Sequence, residues 1–127
     1  MIKEISNGMN PVVRKKHTLD AQGKILGRIA TEIAFLLRGK GKLGFAPHLD
    51  IGDFVTVKNA KQIRYTGRKL KDKMYYRHSG YLGHLKSETL EKLLERRPQE
   101  VVRKAVMGML PKNRLRALCI KRLKIEQ

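Results

Sequence analysis

Positive charge along the whole chain restricts how this sequence can fold more than any other feature. Among 127 residues there are 29 lysines and arginines but 11 acidic residues, a formal net charge of +18. Residues 1–50 carry nine basic and four acidic side chains, residues 51–100 carry twelve and six, and residues 101–127 carry eight and one. Such a chain must keep cations outside its core, and a polyanion would relieve their repulsion. The charge therefore favours nucleic acid as the partner.

The apolar residues between these cations keep the spacing of regular secondary structure. Hydrophobic residues make up 41% of the chain, and the length suits one domain with its own core. A disordered polycationic tail lacks such periodicity, so we expect the cations to lie on a folded domain. The longest uncharged apolar run, residues 33–37, is far shorter than the roughly 20 residues of a membrane span. No transmembrane helix is predicted.

Cysteine usage and the start of the chain indicate a compartment. The single cysteine, Cys119, allows no disulfide within the chain, and its apolar spacing with Leu115 and Leu118 favours a buried side chain over a nucleophile. The first residues contain no apolar signal segment. We therefore expect a cytosolic protein, with a loose leader over residues 1–12 and a single domain over residues 13–127.

Strand-like and helical patterns alternate from residue 17 onward. Short β-branched or aromatic runs predict strands at residues 17–19, 54–57 and 123–125, with weaker candidates at 63–65 and 74–76. Helices are predicted from Ile25 to Gly39, after a cap at Ser87, from Pro98 to Pro111, and after a cap at Asn113. This alternation favours an α/β layered domain with a largely parallel sheet. Its predicted core contains Leu26, Ile29, Ile33, Val55, Val57, Val102 and Val106.

A glycine-rich basic loop follows the first helix. Residues 38–42 alternate cations with glycines, which let a backbone approach phosphate closely. A nucleotide-binding phosphate loop needs Ser or Thr after its Gly-Lys pair, but Leu43 follows Lys42 here. We therefore predict contact with a nucleic-acid backbone. Asp50 and Asp53, further along, are predicted as turn and capping groups and not as catalytic carboxylates.

Basic and aromatic residues are interleaved in the middle of the chain. Cations between residues 64 and 73 are followed by Tyr75, Tyr76, Arg77 and His78, a combination typical of RNA-binding surfaces. Because neighbouring strand residues point to opposite faces, one tyrosine should be inside and the other near the ligand. Residues 80–83 match the glycine loop of a small RNA-binding module only weakly, because that loop should lie between two helices.

The segment after the predicted break at Pro111 forms another candidate phosphate site. Lys112, Asn113 and Arg114 should leave the helical stripes there and lie beside the start of a new helix. The histidines at 17, 48, 78 and 84 have no metal-ligand spacing, and no catalytic set emerges. We expect no metal, no cofactor and no small-molecule substrate.

Eight short stretches make the sequence resemble the large-subunit ribosomal protein thirteen family of bacterial type. They follow the family's order at residues 20–30, 37–40, 47–53, 59–60, 66–67, 72–78, 96–98 and 108–112. The resemblance implies a three-layer α/β/α domain, here with about four strands. It also implies a structural protein that binds large-subunit ribosomal RNA beside neighbouring ribosomal proteins and acts early in subunit assembly.

Taken with this resemblance, the basic loops predict a set of RNA-contacting residues. They are Arg38, Lys40, Lys42, His48, Arg68, Lys69, Lys73, Tyr76, Arg77, His78, Lys112, Asn113 and Arg114. The alternative is an RNA-processing or RNA-modifying enzyme that uses the same basic surface, with His78 or His84 as general base. Binding to a membrane surface does not fit, because the most amphipathic segment, residues 25–37, carries few cations.

Overall fold

The computed structural model describes residues 2–4 and 12–127, which form an α/β fold. The strands are β1 (Ile2–Glu4), β2 (Val12–Arg14), β3 (Lys16–Asp20), β4 (Phe54–Lys58), β5 (Met74–His78), β6 (Leu85–Thr89) and β7 (Leu123–Ile125). The helices are α1 (Leu26–Arg38), α2 (Lys69–Asp72), α3 (Leu90–Arg96), α4 (Pro98–Met109) and α5 (Leu115–Lys121), with a 3₁₀ turn at Ala60–Gln62.

Helix α1 follows directly from its apolar spacing. Its 13 residues place Ile29 and Ile33 on one buried face. Gly39 ends the helix at φ +72°, where its N–H donates to the Leu36 carbonyl oxygen 3.1 Å away. A Cβ at this position would lie 2.9 Å from the Ile51 carbonyl oxygen, so both the backbone angle and the space require glycine. The predicted helix and its stop are confirmed.

The central sheet is parallel, with the strand order β3-β4-β7. Val55 and Val57 of β4 are fully buried and belong to one core cluster with α1 and α4. The sheet's other face bears the exposed side chains of Thr18, Lys58 and Lys124. The α/β class and the parallel sheet are confirmed. Within residues 2–4 and 12–127 the parallel sheet has three strands where about four were expected. Exposed polar side chains occupy the face where a three-layer arrangement would place helices.

The predicted core residues lie together in this cluster. Six of them are buried: Ile29, Ile33, Val55, Val57, Val102 and Val106. The seventh, Leu26, is only partly buried at the edge of the cluster. A smaller second cluster contains Leu90, Leu93 and Val101 and joins α3 to α4.

An antiparallel ribbon of β5 and β6 departs from the sequence prediction. Only its first strand was expected, and Ser87, the predicted helix cap, lies inside β6. The cap of α3 is Thr89, whose Oγ1 accepts a hydrogen bond from the Lys92 backbone N–H at 3.4 Å. Pairing with β5 is long-range and overrides the local capping pattern. Residues 63–65 form no strand either, since Arg64 makes only an isolated bridge to Ile25.

Proline marks the limits of α4. Pro98 occupies its first turn, where a missing N–H costs nothing, and the helix ends at Met109, with Leu110 as its C-cap directly before Pro111. Both predictions are confirmed.

Helix α5 is capped by Asn113 as predicted. Its Oδ1 accepts a hydrogen bond from the Arg116 backbone N–H at 3.1 Å. Cys119 is buried, and burial raises the pKa of its thiol, which suits a packing role. Leu118 was placed on the same apolar face but is 45% exposed, so that part of the prediction is wrong.

The leader predicted for residues 1–12 falls largely outside the described residues. Where the structure describes it, Ile2–Glu4 pairs antiparallel with Val12–Arg14. Among the described helices, none is long and apolar enough to span a membrane.

We expect Ile33→Ala to lower the free energy of unfolding by roughly 2 to 5 kcal/mol, because alanine would leave a cavity in the core. Urea denaturation followed by circular dichroism measures the change. Leu43→Ala is the control, since Leu43 is fully exposed and its truncation should cost less than about 0.5 kcal/mol. A loss below about 1 kcal/mol for Ile33→Ala would contradict its place in the core.

Candidate nucleic-acid interface

Ion pairs beneath the surface hold the loop that precedes β4. The Arg122 guanidinium binds both carboxylate oxygens of Asp50, at 2.6 and 2.8 Å, and donates to the Leu37 carbonyl oxygen at 3.1 Å. Arg14 donates to the backbone carbonyls of Gly52 and Asp50. Both arginines are buried, so they serve the fold and are not part of an exposed binding surface.

Gly52 lies where these groups meet. A Cβ at this position would fall 1.6 Å from the Leu37 carbonyl oxygen and 2.9 Å from a guanidinium nitrogen of Arg122. The loop can therefore approach α1 this closely only with glycine here.

A second ion cluster surrounds Asp53. Its carboxylate accepts from Lys42 Nζ at 2.6 Å, from the Lys15 backbone N–H at 3.0 Å and lies 2.9 Å from His17 Nε2. Burial opposes ionisation, but the hydrogen bonds from Lys42, Lys15 and His17 outweigh it and lower the pKa of Asp53 below its ordinary value.

These contacts change the interpretation of three residues. Asp50 and Asp53 were predicted as turn and capping groups, but they are the anions of an internal ion network. Lys42 was predicted to contact RNA. Its ammonium instead faces three internal acceptors: Asp53, the Ile51 carbonyl at 2.6 Å and the Val13 carbonyl at 2.9 Å. The geometry therefore gives Lys42 the role of fixing its loop.

One basic surface forms where the end of α1 meets the segment before α5. Arg38 lies over the Phe45 ring, 5.5 Å from its centroid, and lines a crevice with Pro111 and Asn113. The structure thus brings two stretches that lie far apart in the sequence into one place. We call this the loop surface, and its predicted residues are Arg38, Lys40, His48, Lys112, Asn113 and Arg114. All except Arg38 are exposed, and Arg38 is partly exposed.

The other predicted residues lie on and beside the β5-β6 ribbon. Arg68, Lys69 and Lys73 are exposed on or next to the short helix α2. Lys73 Nζ lies 5.6 Å from the centroid of the Tyr75 ring, at the start of β5. We call this the ribbon surface, and its predicted residues are Arg68, Lys69, Lys73, Tyr76, Arg77 and His78.

The two adjacent tyrosines separate as predicted. Tyr75 is half-buried against the second core cluster, and burial raises the pKa of its hydroxyl. Tyr76 is 63% exposed. Lys104 Nζ lies 4.9 Å from the Tyr75 ring centroid, so cations already occupy that ring, and Tyr76 is the tyrosine available to a ligand.

A groove of about 740 Å³ lies between the ribbon and helices α3 and α4. Its lining includes cations that sequence reasoning missed: Lys86, Lys92, Arg96 and Lys104. Arg96 is paired with Glu88 at 2.7 Å, so the groove's cations without a salt bridge are these three lysines and Arg77. Residues 85–89 have only one apolar side chain and no alternation, so no local signal in the sequence predicts the strand that places Lys86 opposite Arg77.

We expect Asp53→Asn to remove a pH-dependent part of the stability. Because the pKa of Asp53 is lower in the folded state than its ordinary value of 3.8, its ionised carboxylate stabilises the fold at pH values above 3.8. That stabilisation is lost as the pH falls through the folded-state pKa. Thermal unfolding of wild type and variant should therefore differ by roughly 1 to 3 kcal/mol near pH 6 and converge toward pH 2. The exposed Glu91→Gln variant is the control. A gap that stayed constant with pH would contradict the assignment.

Comparison with known proteins agrees with these observations. The family described as ribosomal protein L13 matches residues 14–126. The large ribosomal subunit protein uL13 of Geobacter sp. (strain M21) is 55% identical over 114 residues, covering 90% of this chain and 80% of that protein. The uL13 protein of Nitratidesulfovibrio vulgaris is 51% identical over 124 residues, covering 98% and 86%. The resemblance inferred from the sequence is confirmed: the chain belongs to the ribosomal protein L13 family, which is a family of structural ribosomal proteins and not of enzymes.

Proposed function

We propose that this protein is a structural component of the large ribosomal subunit in the cytoplasm, that it binds large-subunit ribosomal RNA, and that it acts early in assembly. The observation that carries the proposal is the state of its cations. In the part of the chain that the structure describes, no salt bridge involves the predicted cations other than Lys42. Those without one are Arg38, Lys40, Arg68, Lys69, Lys73, Arg77, Lys112 and Arg114.

The loop surface and the ribbon surface suit different segments of RNA. Helix α4 connects them: Lys104, in its middle, lines the ribbon groove, and Pro111, just past its end, lines the crevice of the loop surface. Lys104 and Pro111 are seven positions apart, which at the rise of a helix is about 10 Å, so the two surfaces contact different parts of a ligand. Cations on both would neutralise phosphates of separate RNA segments and reduce the repulsion that opposes their packing.

The geometry gives no support to the alternative of an RNA-processing enzyme. The proposed general bases form hydrogen bonds within their own loop: His78 Nδ1 accepts from the Gly80 backbone N–H at 2.9 Å, and His84 Nδ1 lies 3.0 Å from the Leu82 carbonyl oxygen. Residues 73–87 contain no Asp or Glu that could orient either histidine. Each histidine therefore uses its Nδ1 within the loop and has no neighbouring carboxylate in this segment to orient it as a base.

Neutralising four cations should reduce the salt dependence of RNA binding. We expect the variant Arg38, Lys40, Lys69 and Lys73→Ala to flatten the slope of log affinity against log salt by about 0.7 to 0.9 per lost phosphate contact, or roughly 3 in all. Filter binding to deproteinised large-subunit RNA at several salt concentrations measures the slope.

A control of equal charge replaces four exposed lysines outside both surfaces, Lys16, Lys58, Lys61 and Lys121, with alanine. This control should keep most of the wild-type slope. Equal slopes in the two variants would contradict the assignment, because cations outside the two surfaces would then contribute as much to RNA binding as cations on them.

Reversing the charge beyond Pro111 should impair entry into the ribosome. We expect Lys112→Glu with Arg114→Glu to reduce incorporation into large subunits, because both side chains are exposed and would face phosphates. The melting temperature of the isolated protein should change little. Tagged variants are followed by sedimentation of ribosomal subunits through high salt.

Lys58→Glu with Lys61→Glu is the matched control, since it reverses two exposed charges away from both surfaces. Normal incorporation of the Lys112 and Arg114 variant would show that the docking surface lies elsewhere.

A further inference from the structure

The tip of the β5-β6 ribbon, residues 79–84, exposes apolar side chains. Tyr81 is 77% exposed and Leu82 is 97% exposed. Leu85, at the start of β6, is 59% exposed on the same hairpin. Neither the hydrophobic cores nor the predicted RNA contacts make use of these residues.

Hydrogen bonds within the tip hold it in one conformation. Gly80 and Gly83 have φ angles of +95° and +75°, which form the turn. The Gly80 N–H donates to His78 Nδ1 at 2.9 Å, and the His84 N–H donates to the Tyr81 carbonyl oxygen at 3.3 Å. The Tyr81 and His84 rings meet edge to face with centroids 6.0 Å apart. The aromatic ring is therefore presented in advance of any binding.

The charge around the tip favours an anionic partner. Residues 73–87 contain no acidic side chain, and Arg77 lies opposite Lys86 in the ribbon. An exposed aromatic ring and an aliphatic side chain on a cationic stem match what RNA offers: unpaired bases to stack on and phosphates beside them. An apolar pocket on a second basic protein would lack the anions that Arg77 and Lys86 attract.

We propose that the tip inserts into ribosomal RNA, with Tyr81 stacked on an unpaired base and Leu82 packed against the neighbouring base or sugar. This inference rests on the proposed function, because it assigns one further RNA contact. The glycine pair at 80 and 83 acts here as the turn of a hairpin between two strands. It is not the backbone clamp that lies between two helices.

Equilibrium binding to deproteinised large-subunit RNA tests the contact. Tyr81→Ala should weaken affinity roughly tenfold, as expected for loss of one base stack, without changing the salt slope. Tyr81→Phe should keep nearly wild-type affinity, because it preserves the ring, and Leu43→Ala is the control for an exposed apolar side chain elsewhere. Wild-type affinity for Tyr81→Ala would overturn the inference, whereas failure of the wild type to bind would overturn the proposed function.

A fluorescent probe separates a base from a protein pocket. The chain contains no tryptophan, so Tyr81→Trp introduces a single one. Stacking on a base should strongly quench its emission on addition of the RNA alone. An unquenched, blue-shifted emission that appears only within assembled large subunits would show a protein pocket and overturn the inference.

Discussion

The ion pair between Asp50 and Arg122 is the interaction on which the rest of the structure depends. Arg122 directly precedes β7, Asp50 lies in the loop before β4, and Arg14 lies just before β3. Because these strands are parallel, the three residues meet at one edge of the sheet. Buried charges are costly to desolvate, and removing one partner commonly costs about 3 to 5 kcal/mol because the other is left unpaired. The network therefore fixes the strands and the loop that emerges between them.

This network divides the cations into two groups. Arg14, Arg122 and Lys42 bind Asp50, Asp53 and backbone carbonyls, so three of the 29 basic side chains serve the fold and not a ligand. These three cations hold the loop from which Lys40 and His48 project. An internal charge cluster thus determines where the external charges lie, and under the proposed function a change in Asp53 would act on RNA binding through the position of this loop.

Local signals predicted the elements that depend on local physics. The spacing of Ile29 and Ile33, the left-handed backbone at Gly39 and the missing N–H of Pro98 act within a turn or two of their own position. The second strand of the ribbon and the internal role of Lys42 depend on partners elsewhere in the fold. Lys40 and Lys42 look alike in the sequence, since both follow a glycine in the same basic loop. Only the folded chain brings Asp53 to Lys42 and leaves Lys40 exposed.

Under the proposed function, rigid presentation of the two surfaces would let a small domain bind a large polyanion selectively. Phosphate contacts provide affinity with little dependence on sequence, so recognition of one RNA site has to come from the relative positions of the contacts. Here α4 sets the spacing between the loop surface and the ribbon surface, and its buried face, with Val102 and Val106, anchors it to the core. Under the proposed function, an RNA fold that brings phosphates to both surfaces together would bind more tightly than one that reaches only one of them. Spacing that the core keeps rigid would therefore favour the RNA fold in which both sets of phosphates are in place.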